Sequence, residues 1–279
     1  MNGDHLATCG GVHTHFVEEG SGPPLVLLHG FSGSIETMAG LAARLVPSHT
    51  VLRMDLIGHG YSEKPADAGA YTMDVAIAQV LDLVQQRFYG PADLIGYSMG
   101  ARVGLAAALT APELLRSIVL VGGTAGIADP AARAQRQRAD EELAARIERN
   151  GIAWFAQEWM TKPFFVTQAR LGRSHLAAAR AQRMENDAHA LANSLRGMGT
   201  GTQPSYWHML DRLQVPLLFV AGEEDRTFMV IGEQMVAAVP AGVLAVVPGV
   251  GHAAHIEAEP EVAEAVEHFL TIDRSGPFQ

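Results

Sequence analysis

Gly96-Tyr97-Ser98-Met99-Gly100 decides the fold. It fits G-x-S-x-G, the nucleophile elbow, in which a serine sits on a sharp turn from a strand into a helix. Ala92-Asp93-Leu94-Ile95, just before it, is short and apolar enough for a buried strand. Ala101-Arg102-Val103-Gly104-Leu105-Ala106-Ala107-Ala108-Leu109, just after, is rich in helix formers. The serine of such a turn is held in a strained backbone, and glycine neighbours relieve the crowding. The following helix points its N-terminus at the site, which favours developing negative charge. Ser98 is the candidate nucleophile or base. The plainer alternative is a structural serine in a tight turn.

Outward from the elbow, strand and helix alternate. Residues 11–19 alternate as an early antiparallel strand or hairpin, and Gly20-Ser21-Gly22-Pro23-Pro24 is a turn. Leu25–Leu28, Thr50–Met54 and Arg116–Val121 read as strands. Residues 36–46 and 73–88 read as amphipathic helices. The alternation stops at Thr124 and resumes at Val215–Val220, followed by a helix at 228–239, a strand at 243–247 and a helix at 260–270. This pattern predicts an α/β protein, a mainly parallel sheet with helices on both faces. Residues 1–123 and 209–279 form its core, and residues 124–208 form an inserted helical cap. Ligands of open α/β sheets bind at the carboxyl ends of strands, where the loops of interest fall.

Bulk properties narrow the functions. The chain has 279 residues, 48% of them hydrophobic, and a formal net charge of -10. Nucleic acid is therefore not an expected partner. A single cysteine, Cys9, forbids an internal disulfide. Met1-Asn2-Gly3-Asp4-His5 shows no basic stretch leading into an apolar run, so no secretory leader is expected. No apolar run approaches the roughly 18 residues of a membrane span. A cytoplasmic location without membrane attachment is the expectation.

A serine hydroxyl needs a base, usually a histidine oriented by a carboxylate. In G-x-S-x-G folds of this kind the chain order is serine, acid, histidine. Ala221-Gly222-Glu223-Glu224-Asp225 and Pro248-Gly249-Val250-Gly251-His252 follow two of the strands in that order. Asp225 is the favoured acid, with Glu223 and Glu224 as rivals; His252 is the favoured base, with His255 as its rival. His13, His15, His49, His175, His189 and His268 read most simply as surface or helix residues, and His29 and His59 as loop-fixing ones. Charge developing on a substrate oxygen needs preorganised donors, here the backbone N–H groups of Met99 and Phe31. No histidine–carboxylate cluster has metal-ligand spacing, and no phosphate-binding glycine loop opens a helix. No metal and no cofactor are indicated.

The cap carries +3 and the remainder -13, and ten of the cap's eleven basic groups are arginines. A basic lid over an acidic body can steer an anionic small-molecule substrate, and arginine suits bidentate carboxylate binding. Local pairs on a solvated helix face are the plainer reading for any single arginine. Arg102 is different, because a cation in the first turn of the elbow helix opposes the helix dipole. All three tryptophans, Trp154, Trp159 and Trp207, fall in the cap segment, where packing its small core is the ordinary role.

These residues together resemble the α/β-hydrolase superfamily over nearly the whole chain. More narrowly they resemble the 2-succinyl-6-hydroxy-2,4-cyclohexadiene-1-carboxylate synthases of menaquinone biosynthesis. The carriers are His29-Gly30-Phe31-Ser32-Gly33-Ser34, the elbow through Arg102, Glu158-Trp159 with Pro163-Phe164-Phe165, and Ser194-Leu195-Arg196-Gly197-Met198-Gly199-Thr200-Gly201-Thr202-Gln203-Pro204. The last, inside the cap, is the most specific. The resemblance implies a lyase that eliminates pyruvate from a polycarboxylate cyclohexene intermediate. Ser98, activated by His252 and Asp225, would act as a base on a carbon-bound proton. It implies substrate-binding roles for Tyr97, Arg102, Trp159, Arg136 and Arg183, with Arg133 a rival for Arg136. Ala101 stands where the family usually has glycine, and Met38 where tryptophan is expected. The competing readings are a carboxylesterase of small esters or thioesters acting through an acyl-enzyme, and a binding protein that kept the fold.

Overall fold

The computed structural model describes residues 3–272, so residues 1–2 and 273–279 of the expected core lie outside the described residues. Its strands are β1 (Gly3–Cys9), β2 (Val12–Gly20), β3 (Pro24–Leu28), β4 (Thr50–Met54), β5 (Ala92–Tyr97), β6 (Leu115–Val121), β7 (Leu217–Gly222) and β8 (Gly242–Val247). They form one sheet in the order β1-β2-β4-β3-β5-β6-β7-β8. β1 and β2 are an antiparallel hairpin at the edge, and β2 also runs antiparallel to β4. From β4 to β8 every pairing is parallel. Strands buried on both faces must be apolar throughout, and β3 divides its side chains accordingly. Val26 and Leu28 enter the core on one face, against Val80, Leu105 and Met235. Leu25 and Leu27 enter the core on the other, against Leu41, Ala254 and Val262.

The helices of the core are α1 (Ala39–Leu45), α2 (Met73–Arg87) and α3 (Met99–Thr110) in the first part of the chain. Between β6 and β7 lie α4 (Pro130–Trp159), α5 (Gly172–Met184) and α6 (Ala188–Met198), the stretch expected as the cap, with a 3-10 turn at Pro163–Leu171; a further 3-10 turn, Trp207–Arg212, leads back into the core. The core closes with α7 (Arg226–Ala238), α8 (Ala254–Glu257) and α9 (Glu259–Ile272). Among the described residues no strand interrupts the chain between β6 and β7. α4 is broken at Gly151, whose φ of 79° no helix interior adopts. The cap has its own small core of Ala144, Ile147, Phe155, Leu191 and Leu195, with Trp154 and Trp159 against it. Trp207 departs from expectation: it packs on the main core, and its indole N–H donates to Gly126 O at 2.8 Å.

β3 pairs with β4 on one side and β5 on the other, so the chain changes direction across the sheet there. The carboxyl ends of β3 and β5 thus open the crevice in which such sheets bind ligands. Two histidines read as surface residues are buried instead, His15 at 4% exposure and His49 at 3%. His15 Nδ1 meets Asp55 Oδ2 at 2.7 Å, and Asp55 also accepts from the Ile35 and Tyr61 amides. The loop after β4 is built around that buried carboxylate, a long-range contact that local periodicity cannot reveal. Among the described residues no helix is long and apolar enough to cross a membrane.

Candidate active site

Ser98 sits at the turn from β5 into α3 with φ 50° and ψ -101°, a conformation that strains a residue with a side chain. The flanking glycines are explained by contact. A Cβ on Gly96 would lie 2.4 Å from Gly100 C, and one on Gly100 would lie 2.4 Å from Leu28 O. Ala101 is accommodated because its methyl faces Gly123, where a Cβ would come within 2.7 Å. Met38 is fully buried in the core beneath Tyr97 and does not line the main cavity.

His252 Nε2 lies 3.3 Å from Ser98 Oγ, and His252 Nδ1 lies 2.7 Å from Asp225 Oδ2. The three acids after β7 have separate tasks. Glu223 accepts from the Gly249 amide at 3.0 Å. Glu224 takes the Arg170 guanidinium at 2.7 and 2.9 Å. Asp225 caps α7 through the Phe228 amide and holds the imidazole. His252 is packed by the rings of Phe228 at 4.5 Å, Tyr97 at 5.4 Å and Phe164 at 5.7 Å. Gly122, at φ 60°, leaves it room, since a Cβ there would come within 2.8 Å of His252 Cε1. His255 lies away from Ser98, behind Tyr97, with 4.1 Å between ring centroids. Burial and the neighbouring His252 push its pKa down to about 3, so it is neutral.

Met99 is the first residue of α3, so its N–H has no intrahelical acceptor. Phe31 follows β3 and lines the same cavity as Met99. The loop between them is fixed by His29, whose Nε2 accepts from the Leu56 amide at 3.0 Å and whose Nδ1–H donates to Gly30 O at 2.8 Å. Burial lowers the His29 pKa, in keeping with that neutral tautomer. The cap grips the loop as well, through Asn186 Nδ2 to Ser32 O at 3.0 Å.

The cavity holds about 490 Å³ and includes Phe31, Tyr97, Ser98, Met99, Trp159 and His252 in its lining. Arg102 and Arg136 line it too, and Arg133 does not. Arg102 is 7% exposed. Its Nη1 donates to Met198 O at 2.7 Å and to Gln203 Oε1 at 3.1 Å, both neutral acceptors in the cap. Among the described residues no carboxylate forms an ion pair with it. Burial and the nearby Arg136 lower its pKa to about 10, so it stays charged at neutral pH. The 194–204 stretch is thus the socket of an elbow-helix arginine, and its glycines allow the approach. A Cβ on Gly201 would lie 2.3 Å from Gln137 N.

Arg183, expected with the substrate-binding residues, does not line this cavity. It lies over the Phe165 ring at 5.1 Å, donates to Ala179 O, and borders a smaller pocket with Phe31 and Tyr97. Burial raises the Tyr97 phenol pKa and keeps it protonated. Trp159 stands edge-on to Phe31 at 5.4 Å and is stacked on Phe155 at 5.4 Å. Sequence reasoning missed Phe228 and Asp140, weighed Glu224 only as a rival acid, and quoted Gln203 only as part of the cap motif. Only Asp140 had a local signal, its i,i+4 spacing from Arg136. Among the described residues no group of His, Cys, Asp or Glu could hold a metal ion.

A mainly parallel sheet, a serine elbow at its centre and a helical stretch after β6 define a class, and sequence comparison agrees with it. The chain belongs to the α/β hydrolase fold family, whose model matches residues 23–259. A Bacillus subtilis (strain 168) protein that carries the 2-succinyl-6-hydroxy-2,4-cyclohexadiene-1-carboxylate synthase name provisionally is similar at 32% identity over 269 residues, 96% of this chain and 98% of its own. The Serratia proteamaculans (strain 568) protein of that synthase name is 30% identical over 253 residues, 90% of this chain and 94% of its own. Among solved structures, MenH from S. aureus superposes with a TM-score of 0.89 at 28% identity, covering 94% of this chain and 99% of that one.

Proposed function

We propose that the chain is a cytoplasmic lyase of menaquinone biosynthesis, eliminating pyruvate from a polycarboxylate cyclohexene intermediate. The observation that carries this reading is Arg102, a buried guanidinium that lines the cavity and has only neutral protein partners. A buried cation whose hydrogen-bond partners are all neutral is costly, with Asp140 its nearby but unpaired counter-charge, and an anionic ligand beside it lowers that cost. Arg136 adds a second positive group to the same wall.

In this reading His252 Nε2 takes the Ser98 hydroxyl proton, and Asp225 stabilises the imidazolium that forms. Ser98 Oγ removes a carbon-bound proton from the ring. The electron pair left behind forms the new ring double bond as the C–O bond breaks, and the departing enolate of pyruvate takes up the proton that His252 holds. The Phe31 and Met99 amides stabilise negative charge delocalised onto the adjacent substrate oxygen. Tyr97 and Trp159 shape the pocket, Arg102 and Arg136 bind carboxylates, and Arg183, outside the cavity, adds positive charge from behind Tyr97 and Phe165.

The second reading, a carboxylesterase, is favoured by the same Ser98–His252–Asp225 chain, which equally suits an acyl-enzyme. The test is a side-by-side assay of pyruvate release from the menaquinone intermediate and hydrolysis of a short p-nitrophenyl ester. The lyase reading expects pyruvate release to exceed ester hydrolysis greatly in kcat/KM. Ester hydrolysis without pyruvate release would reverse the assignment.

A further inference from the structure

Asp140 is a buried carboxylate in the middle of the first half of α4, 4% exposed. Its two oxygens are both used. Oδ1 accepts from Arg136 Nε at 2.7 Å, and Oδ2 accepts from the Gly201 amide at 3.2 Å. It therefore joins the cavity's second arginine to the glycine turn that carries Met198 and Gln203, the acceptors of Arg102. The turn fits closely over it: a Cβ on Gly199 would lie 2.7 Å from Asp140 Oδ2. The Arg136 side chain is 46% exposed, and among the described residues Asp140 is the only hydrogen-bond partner of its guanidinium. With Nε held by Asp140, both terminal nitrogens of Arg136 remain unused among the described residues.

We propose that Asp140 is the positioning residue of the cavity's anion subsite. It orients the Arg136 fork toward a substrate carboxylate and, through Gly201, keeps the socket of Arg102 in register with it. A guanidinium held at Nε offers its two terminal groups as a planar pair, the geometry a carboxylate accepts. This inference rests on the polycarboxylate reading of the cavity. Two effects of Asp140 oppose each other, because its charge also weakens the cavity's attraction for anions. Orientation outweighs that loss, since an unanchored Arg136 spends its time in solvent.

The test is Asp140→Asn, Arg136→Ala and the double variant, each checked by thermal melting. Asp140→Asn is expected to raise KM for pyruvate elimination about tenfold while leaving kcat within about twofold, the pattern of a lost binding interaction. In the Arg136→Ala background the same change is expected to add nothing, because the asparagine Oδ1 still accepts from the Gly201 amide and only the contact with Arg136 is lost. Arg136→Lys, which keeps the charge without the Nε donor, is expected to match Asp140→Asn; it also carries the test if Asp140→Asn does not fold. An unchanged or lower KM in Asp140→Asn, additive losses in the double variant, or a wild-type KM in Arg136→Lys would each overturn the proposal. Calorimetric titration with succinate separates the two levels of inference. If wild type releases no pyruvate, the lyase reading fails. Weaker succinate binding in Asp140→Asn than in wild type would still support the positioning role, and equal binding would refute it.

Discussion

Replacing Arg102 with alanine perturbs two things that the structure joins in one side chain. The first is the cavity's buried positive charge. A hydrogen bond to a charged group is worth about 1.5–3 kcal/mol, so losing one to a substrate carboxylate lowers kcat/KM roughly 10- to 150-fold. The second is the bridge from α3 to the cap. Without Arg102, Met198 O and Gln203 Oε1 lose the donor they share. Each unsatisfied buried acceptor costs about 1–3 kcal/mol, and water entering from the cavity keeps the sum near the low end. A total near 2 kcal/mol lowers Tm by roughly 3–4 °C in a chain of this size. The assay is pyruvate release by a coupled dehydrogenase, with a neutral p-nitrophenyl ester as control and a melting curve for each variant. Arg102→Ala is expected to lose elimination far more than any ester hydrolysis, and to melt a few degrees lower. Arg102→Lys is expected to recover more of the Tm than of kcat/KM, because an ammonium can reach one acceptor without reproducing the planar fork. Equal fractional losses on the anionic and the neutral substrate would refute the argument and leave Arg102 as a cap anchor alone.

Ser98→Ala is expected to abolish pyruvate release and to melt at or above the wild-type temperature, since alanine adds no bulk at a strained position; near wild-type turnover would remove Ser98 from the mechanism. His252→Ala is expected to be as inactive as Ser98→Ala, whereas His255→Ala is expected to lose stability first, because it opens a cavity behind Tyr97; the reverse pattern in kcat and Tm would mean that the wrong base has been named. Stability is expected to fall on acidification below about pH 6.5, because burial depresses His59 and His255 to about 3 and the unfolded chain then binds more protons than the folded one. Each of these histidines contributes about 1.4 kcal/mol per pH unit in the window between the unfolded and folded values. The contribution is fully present above the unfolded value and is lost as pH falls toward 3. Urea titrations at pH 7.0 and 5.5 read it directly, and equal midpoints would contradict it.

The sheet, the cap and the elbow were legible because each leaves a local mark. Period-two and period-3.6 patterns set the elements, and glycines at 96 and 100 mark the turn that brings α3 close to β3. The placing of Asp225 and His252 at strand ends was legible from chain order. What was not legible depends on backbone carbonyls and long-range pairs. The socket of Arg102 is a main-chain oxygen 96 residues away in sequence. Glu223 and Glu224 could not be told from Asp225 without knowing that Gly249 and Arg170 occupy them. The burial of His15 follows from Asp55, 40 residues on. Arg183 and Arg136 look alike in sequence, yet one lies along an aromatic ring and the other lines the cavity.

Turnover of the polycarboxylate intermediate in water enriched in the heavy oxygen isotope tests the chemistry at Ser98 most directly. Elimination with Ser98 as base adds no water, so the ring product is expected at natural isotopic mass, with pyruvate formed in equal amount. A ring product that carries one solvent oxygen, or turnover that yields no pyruvate, would contradict the lyase reading and make Ser98 the nucleophile of a hydrolase.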